Sequence, residues 1–388
     1  MKVKNLFLIL ILLLSPFSDL LAGQWVKKEN LGGVARHRAT GVSIGQKGYI
    51  GLGHVNGTGV NFAFSDWWEF EPATNSWTQK ADYLLGQDYG TSAFSVGTKG
   101  YVGSGVFIGS SWCEYDPGTN QWSLIATPPA SGSELSAISI GDKGYLIENS
   151  NIYEYDPVAD QWSTKATAPV SFDIWGAAFS IGNSGYIISG SLFYEYKASA
   201  DQWLARASFP GLSSGGSVAF SVLEKGYVVA GYGVGWLSDV NRETWAFDPS
   251  TNSWTEAEEF LGSARRFLVG FSIGDRGYLG TGTNGTNFKD FWEYDPMLVS
   301  QEEIENDITV KTYPNPTAGF FTVSIKGPFT LQAKAVFLLY DNLGRVVKQK
   351  PVTESTFVID AADLPRGNYI YRIASKSKKI KQGKIVII

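Results

Sequence analysis

Hydrophobic and polar positions alternate in short runs along most of the chain, and the runs recur in a fixed order. An apolar strand such as ATGVSIG from Ala39 leads through a tight turn to Gly-Tyr and a second apolar strand. After a loop comes an aromatic-rich run in which Trp68, Glu69 and Phe70 alternate, then a Pro-containing turn, then Trp. Period-two alternation buries one face of each run and predicts strands. The unit occurs six times, with its Gly-Tyr pairs at Gly48, Gly100, Gly144, Gly185, Gly226 and Gly277. The fourth-strand tryptophans are Trp77, Trp122, Trp162, Trp203 and Trp254. Four short strands per unit, repeated radially, predict a propeller, which leaves few exposed strand edges.

The sixth unit ends at Asp295-Pro296 without its Trp, and an extra Trp25 stands before the first. The Trp25 segment is therefore expected to supply the outer strand of the sixth blade, beside Asp290–Asp295. The unit length, the Gly-rich second strand and the late Trp resemble the kelch repeat. The resemblance covers residues 25–296 and implies an all-β, six-bladed kelch-type β-propeller over residues 23–296.

Beyond it, residues 297–310 read as a polar linker. Residues 311–388 read as a small β-sandwich of short alternating strands bounded by Pro, Asn or Gly. Pro314-Asn315-Pro316, Asp341 with Gly344-Arg345, Gly367-Asn368-Tyr369 and the basic end from Lys379 resemble the type A C-terminal sorting domain of type IX secretion. That resemblance implies contact with the type IX machinery, and a secreted or outer-surface location on a Gram-negative bacterium. At the other end Lys2, Lys4, the apolar run Leu6–Leu14 and small Ala22-Gly23 read as a signal peptide over residues 1–22. No other apolar run is long enough to span a bilayer, so no transmembrane segment is expected after its removal.

Charge sharpens the division. From Lys311 onward 13 Lys+Arg stand against 4 Asp+Glu, a net of +9, which leaves −14 on residues 1–310 of the chain's −5. An acidic main domain is unsuited to a nucleic-acid partner. The single Cys113 excludes an intramolecular disulfide.

The propeller resemblance brings galactose oxidase into view, whose copper is held by two His and two Tyr, one of them crosslinked to a Cys. Here only His37 and His54 exist, both in the first repeat, and Cys113 takes the place of a core aromatic. No cofactor is expected. Glu69, Glu114, Glu154, Glu195 and Glu293 recur nearly blade by blade and so read as scaffold. Asp66 and Asp290 read as caps of the loop entering the third strand.

Candidate ligand contacts are positions that break the repeat at the central mouth of the variable face. Aligning the first strands places Arg36, Asp88, Asp173 and Arg265 in one column and His37, Tyr89 and Arg266 in the next. Glu134 and Trp175 fall one further. Arg36 and Arg265 are expected to face each other, with Asp88 beside them. Planar guanidinium hydrogen bonds and ring stacking suit an acidic or neutral sugar. The expectation is a binding module for glycan or protein, with no catalytic residue assigned. The alternative is a carbohydrate-active enzyme, resembling sugar epimerases and mutarotases or galactose oxidase, at the same mouth. The loops are expected to stand tall at blades five, six, one and two, with Phe62, Phe64, Trp236 and Phe288 on the rim.

Overall fold

The computed structural model describes residues 23–57, 60–212, 215–233, 239–297, 309–326, 336–342, 344–375 and 378–388. Residues 1–22, expected to be a signal peptide, most of the expected linker and Trp236 lie outside the described residues.

Six four-stranded antiparallel sheets follow one another along the chain. In blade one the strands are Thr40–Ile44, Lys47–Gly51, Trp67–Glu71 and Ser76–Lys80, ordered from the axis outward. The six inner strands pack side by side, and Thr40–Ile44 also meets Val269–Ile273, so the ring closes. The last blade takes its outer strand from Gln24–Lys28, in which Trp25 pairs with Tyr294 and Lys28 with Phe291.

Each repeated residue has a packing reason. The glycine of Gly-Tyr sits where the preceding blade's inner strand presses in. A Cβ on Gly144 would lie 2.0 Å from the Phe94 ring, and one on Gly226 2.0 Å from Phe179. The tyrosine turns inward and donates its hydroxyl to the recurrent acid. Tyr49 reaches Glu69 at 2.6 Å, Tyr101 reaches Glu114 at 3.0 Å and Tyr278 reaches Glu293 at 2.7 Å. These acids thus satisfy buried phenols. The late tryptophans staple each blade to the one before. Trp77, Trp122, Trp162, Trp203 and Trp254 donate their indole N–H to the carbonyls of Glu29, Ala81, Ala126, Ala166 and Ala207 at 2.8–3.0 Å. Trp25 does the same to Glu258 at 3.0 Å.

Residues 309–388 form a second unit. A three-stranded and a four-stranded sheet share one core, which includes Phe321, Val323, Phe337, Leu339, Phe357 and Ile373. Its sequence signatures are structural ties. Asn315 donates to the carbonyl of Lys384 at 2.7 Å and accepts the Val386 N–H at 2.9 Å, which fastens Pro-Asn-Pro to the final strand. Asp341 holds Arg345 at 2.8 Å across a turn in which Gly344 takes a φ of 76°.

Candidate functional site

The mouth is built on a closed ring of backbone. Arg38, Gly90, Glu134, Trp175, Gly216 and Phe267 stand one per blade, just before the inner strands. All six are left-handed, with φ between 51° and 66°. Gly90 donates its N–H to the Arg38 carbonyl, Glu134 to Gly90, Trp175 to Glu134, Gly216 to Trp175, Phe267 to Gly216 and Arg38 to Phe267, at 2.7–3.2 Å. A left-handed non-glycine residue costs about 1–2 kcal/mol. Here the conformation satisfies six N–H groups and six carbonyls that would otherwise be lost at the axis. Beneath the ring runs an axial cavity of about 190 Å³ lined by small residues such as Ala39, Ser92, Ala137, Gly176 and Ser217.

The cup is aromatic and charged. Arg38 meets Glu134 at 2.9 Å, and the Trp175 indole donates to the same carboxylate. The Arg38 guanidinium lies 4.4 Å over Phe267 and 5.4 Å over Trp175. Arg266 lies 4.9 Å over Phe267 and 5.3 Å over Tyr232. Trp175 and Tyr232, both half-buried, meet at 6.4 Å between ring centres. The two glycines of the ring make room for their neighbours. A Cβ on Gly90 would lie 2.5 Å from Glu134 Cγ, and one on Gly216 3.1 Å from the Tyr232 ring. Burial pushes the Glu134 carboxyl above the ordinary range, against the pull of Arg38 and the Trp175 hydrogen bond. Burial also lowers the Arg266 guanidinium, and Arg38 nearby adds to the effect.

Beside the cup, His37 and His54 stack at 4.1 Å, and His54 stacks on Tyr89 at 3.9 Å. His37 Nδ1 lies 2.7 Å from Asn287 Oδ1. Both imidazoles are nearly fully buried, and desolvation lowers them to about 4 and about 3.

Three residues expected at the mouth are committed to the scaffold instead. Arg36 is fully buried, forks onto both oxygens of Asp66 and donates to the Leu52 carbonyl at 2.9 Å. Arg265 repeats this with Asp290 and the Thr281 carbonyl at 3.1 Å. Asp66 and Asp290 are therefore partners of arginines rather than loop caps, and each also takes an indole N–H, from Trp68 and Trp292. Asp88 is fully buried and accepts the N–H groups of Tyr89, Phe107 and Ile108 at 2.7–3.0 Å. Fully buried, paired guanidinia and a buried carboxylate bound to three N–H groups are not presented to a ligand. His37 and Arg266 line the site from below, both under 8% exposed. Asp173 is exposed and accepts the Ser189 hydroxyl at 2.9 Å.

Glu134 and Trp175 do meet in the cup. Arg38, Phe267 and Tyr232 join them without having been singled out in the sequence. Arg38 and Phe267 share the alignment column of Glu134 and Trp175, so that column carried the signal. Of the rim candidates, Phe62 is 55% exposed, whereas Phe64 and Phe288 pack under Arg36 and Arg265 at 4.0 and 3.7 Å. Cys113 is buried in the core of blade two, where desolvation raises its thiol to about 11. Among the described residues, no group of three or more His, Cys, Asp or Glu side chains is placed to hold a metal.

Residues 311–388 match the family model of the secretion system C-terminal sorting domain. The C-terminal unit is a type IX secretion sorting domain. A sorting domain marks the protein for export, to the cell surface or the medium of Bacteroidetes-type bacteria. Among solved structures, 625 chains match this chain. YjhT, a kelch-like β-propeller protein, matches with a TM-score of 0.59 over 77% of this chain and 99% of its own. Identity is 13%, so the likeness shows the fold alone. No curated protein matches the chain in sequence.

Proposed function

We propose that the protein is an exported kelch-type propeller, spanning residues 23–296, that binds glycan through the cup on its variable face. The observation that carries this reading is the juxtaposition of Trp175, Tyr232 and the Arg38–Glu134 pair above a rigid backbone ring. Aromatic faces stack on the apolar faces of sugar rings, and the ion pair offers both donors and acceptors to hydroxyls in a fixed plane. Ring closure holds these groups before the ligand arrives, which lowers the cost of ordering them. The test is a glycan array probed with the secreted protein and with its Trp175→Ala and Arg38→Ala variants. Retained binding in both variants removes the cup as the site.

A second reading is favoured by one observation, the raised carboxyl of Glu134. A buried acid poised upward is a general acid–base candidate for sugar chemistry. Of the other acids expected at the mouth, Asp88 is buried on backbone N–H groups, whereas Asp173 is exposed, accepts the Ser189 hydroxyl and acts electrostatically on Tyr232. Turnover of any bound sugar, abolished in Glu134→Gln with binding retained, establishes the enzyme reading in place of simple binding.

A further inference from the structure

The cup does not end at Trp175. Ring contacts run without a break from the axis to the rim of blade two: Trp175 to Phe267 at 5.6 Å, Phe267 to His37 at 6.2 Å, His37 to His54 at 4.1 Å, His54 to Tyr89 at 3.9 Å and Tyr89 to Phe107 at 5.3 Å. The middle of this arc, His37, His54 and Phe267, is buried, while its two ends come to the surface. Phe107 is 56% exposed. A lone exposed phenylalanine on a turn needs no explanation. This one is held in place, because both its own N–H and that of Ile108 are bound at 3.0 Å by the buried carboxylate of Asp88. Asp88 also takes the Tyr89 N–H at 2.7 Å, so one acid ties together the backbone that carries both outer rings. Its three N–H bonds offset the burial of the carboxylate and hold the Phe107 turn in a fixed relation to Tyr89. Blades three and four offer nothing comparable, since their second and third strands are joined by only Asn149-Ser150 and Gly190-Ser191.

We infer that Phe107, set edge-to-face against Tyr89, offers a second stacking face, and that the ligand is an oligosaccharide chain which contacts this platform and the Trp175 platform at once. The inference rests on the glycan reading above and adds to it the length and direction of the ligand. Asp88 acts here as a positioning residue for the outer rings.

The experiment is calorimetric titration of the full-length secreted protein with two homologous series, galacturonic acid and β-1,4-linked glucose, each from monomer to hexamer. In at least one series, affinity is expected to rise about tenfold or more between the shortest and longest members, the scale of one added aromatic contact. Phe107→Ala abolishes that rise and leaves the monomer affinity unchanged, Phe107→Tyr restores it, and Trp175→Ala weakens every member. Equal affinity for monomer and hexamer, or an unchanged length dependence in Phe107→Ala, overturns the second platform while leaving the cup in place. Absence of binding by both series defeats the glycan reading and this inference with it.

Discussion

The indole N–H of Trp25 donates to the carbonyl of Glu258 at 3.0 Å, across 233 residues of sequence. It is the same staple that five other tryptophans make between consecutive blades, transferred to the joint where the chain closes on itself. This joint is the weaker by one contact. At the other joints the Asn or Asp two residues before the Trp also binds a backbone N–H of the preceding blade, as Asn120 does for Ala81 at 3.0 Å. Position 23 holds a glycine with no such group. Trp25→Ala is predicted to destabilise the propeller by about 3–5 kcal/mol, a large part of the ~5–15 kcal/mol of a whole domain. Trp25→Phe keeps most of the bulk and loses about 1 kcal/mol with the hydrogen bond. Urea unfolding followed by fluorescence checks both values.

The Arg36–Asp66 pair is predicted to matter for stability and not for ligand contact. Arg36→Met alone strands the Asp66 carboxylate and costs about 3–5 kcal/mol, whereas adding Asp66→Leu recovers much of it. Thermal unfolding of the single and the double variant measures this directly.

Acid is predicted to weaken the fold through the histidine stack. His37 and His54 titrate at about 4 and about 3 in the folded chain, against 6.5 for the free side chain. The unfolded chain therefore takes up protons first, and stability present above pH 6.5 is lost as pH falls toward 4 and below. The loss is on the order of 3–5 kcal/mol for each imidazole, and Arg38 and Arg266 near His37 add to the repulsion. His37→Gln with His54→Gln should flatten the dependence of Tm on pH between 7 and 4.

Removal of residues 311–388 is predicted to leave the propeller in the periplasm, because the sorting domain is what the export machinery reads. Cell fractionation followed by immunoblotting shows where the truncated chain stops. Its appearance in the medium or on the surface in normal amounts contradicts that role.

The scaffold was legible because each of its devices repeats. Gly144 and Gly226 are glycine for the same steric reason, and the tryptophan column pointed to Trp25 even across the break in the chain. The recurrent acids were legible as scaffold on the same ground. The cup was half legible. Column alignment locates a residue along the inner strand and says nothing of which way its side chain turns. Arg36 and Arg265 turn back into their own blades toward Asp66 and Asp290, whereas Arg38, two residues on, adopts a left-handed backbone and joins the ring. Tyr232 was invisible to that alignment because it comes from the end of a second strand in blade five. Asp88 shows the same limit, since its three backbone partners exist only after the Phe107 turn has folded against it.

The most direct test of the cup is a crystal structure of the protein soaked with a galacturonic acid or β-1,4-glucan oligosaccharide. The account predicts density for one sugar unit against Trp175 and Tyr232, with its hydroxyls on Arg38 or Glu134. Sugar bound on the opposite, short-turn face, with the cup empty and unobstructed, would contradict it.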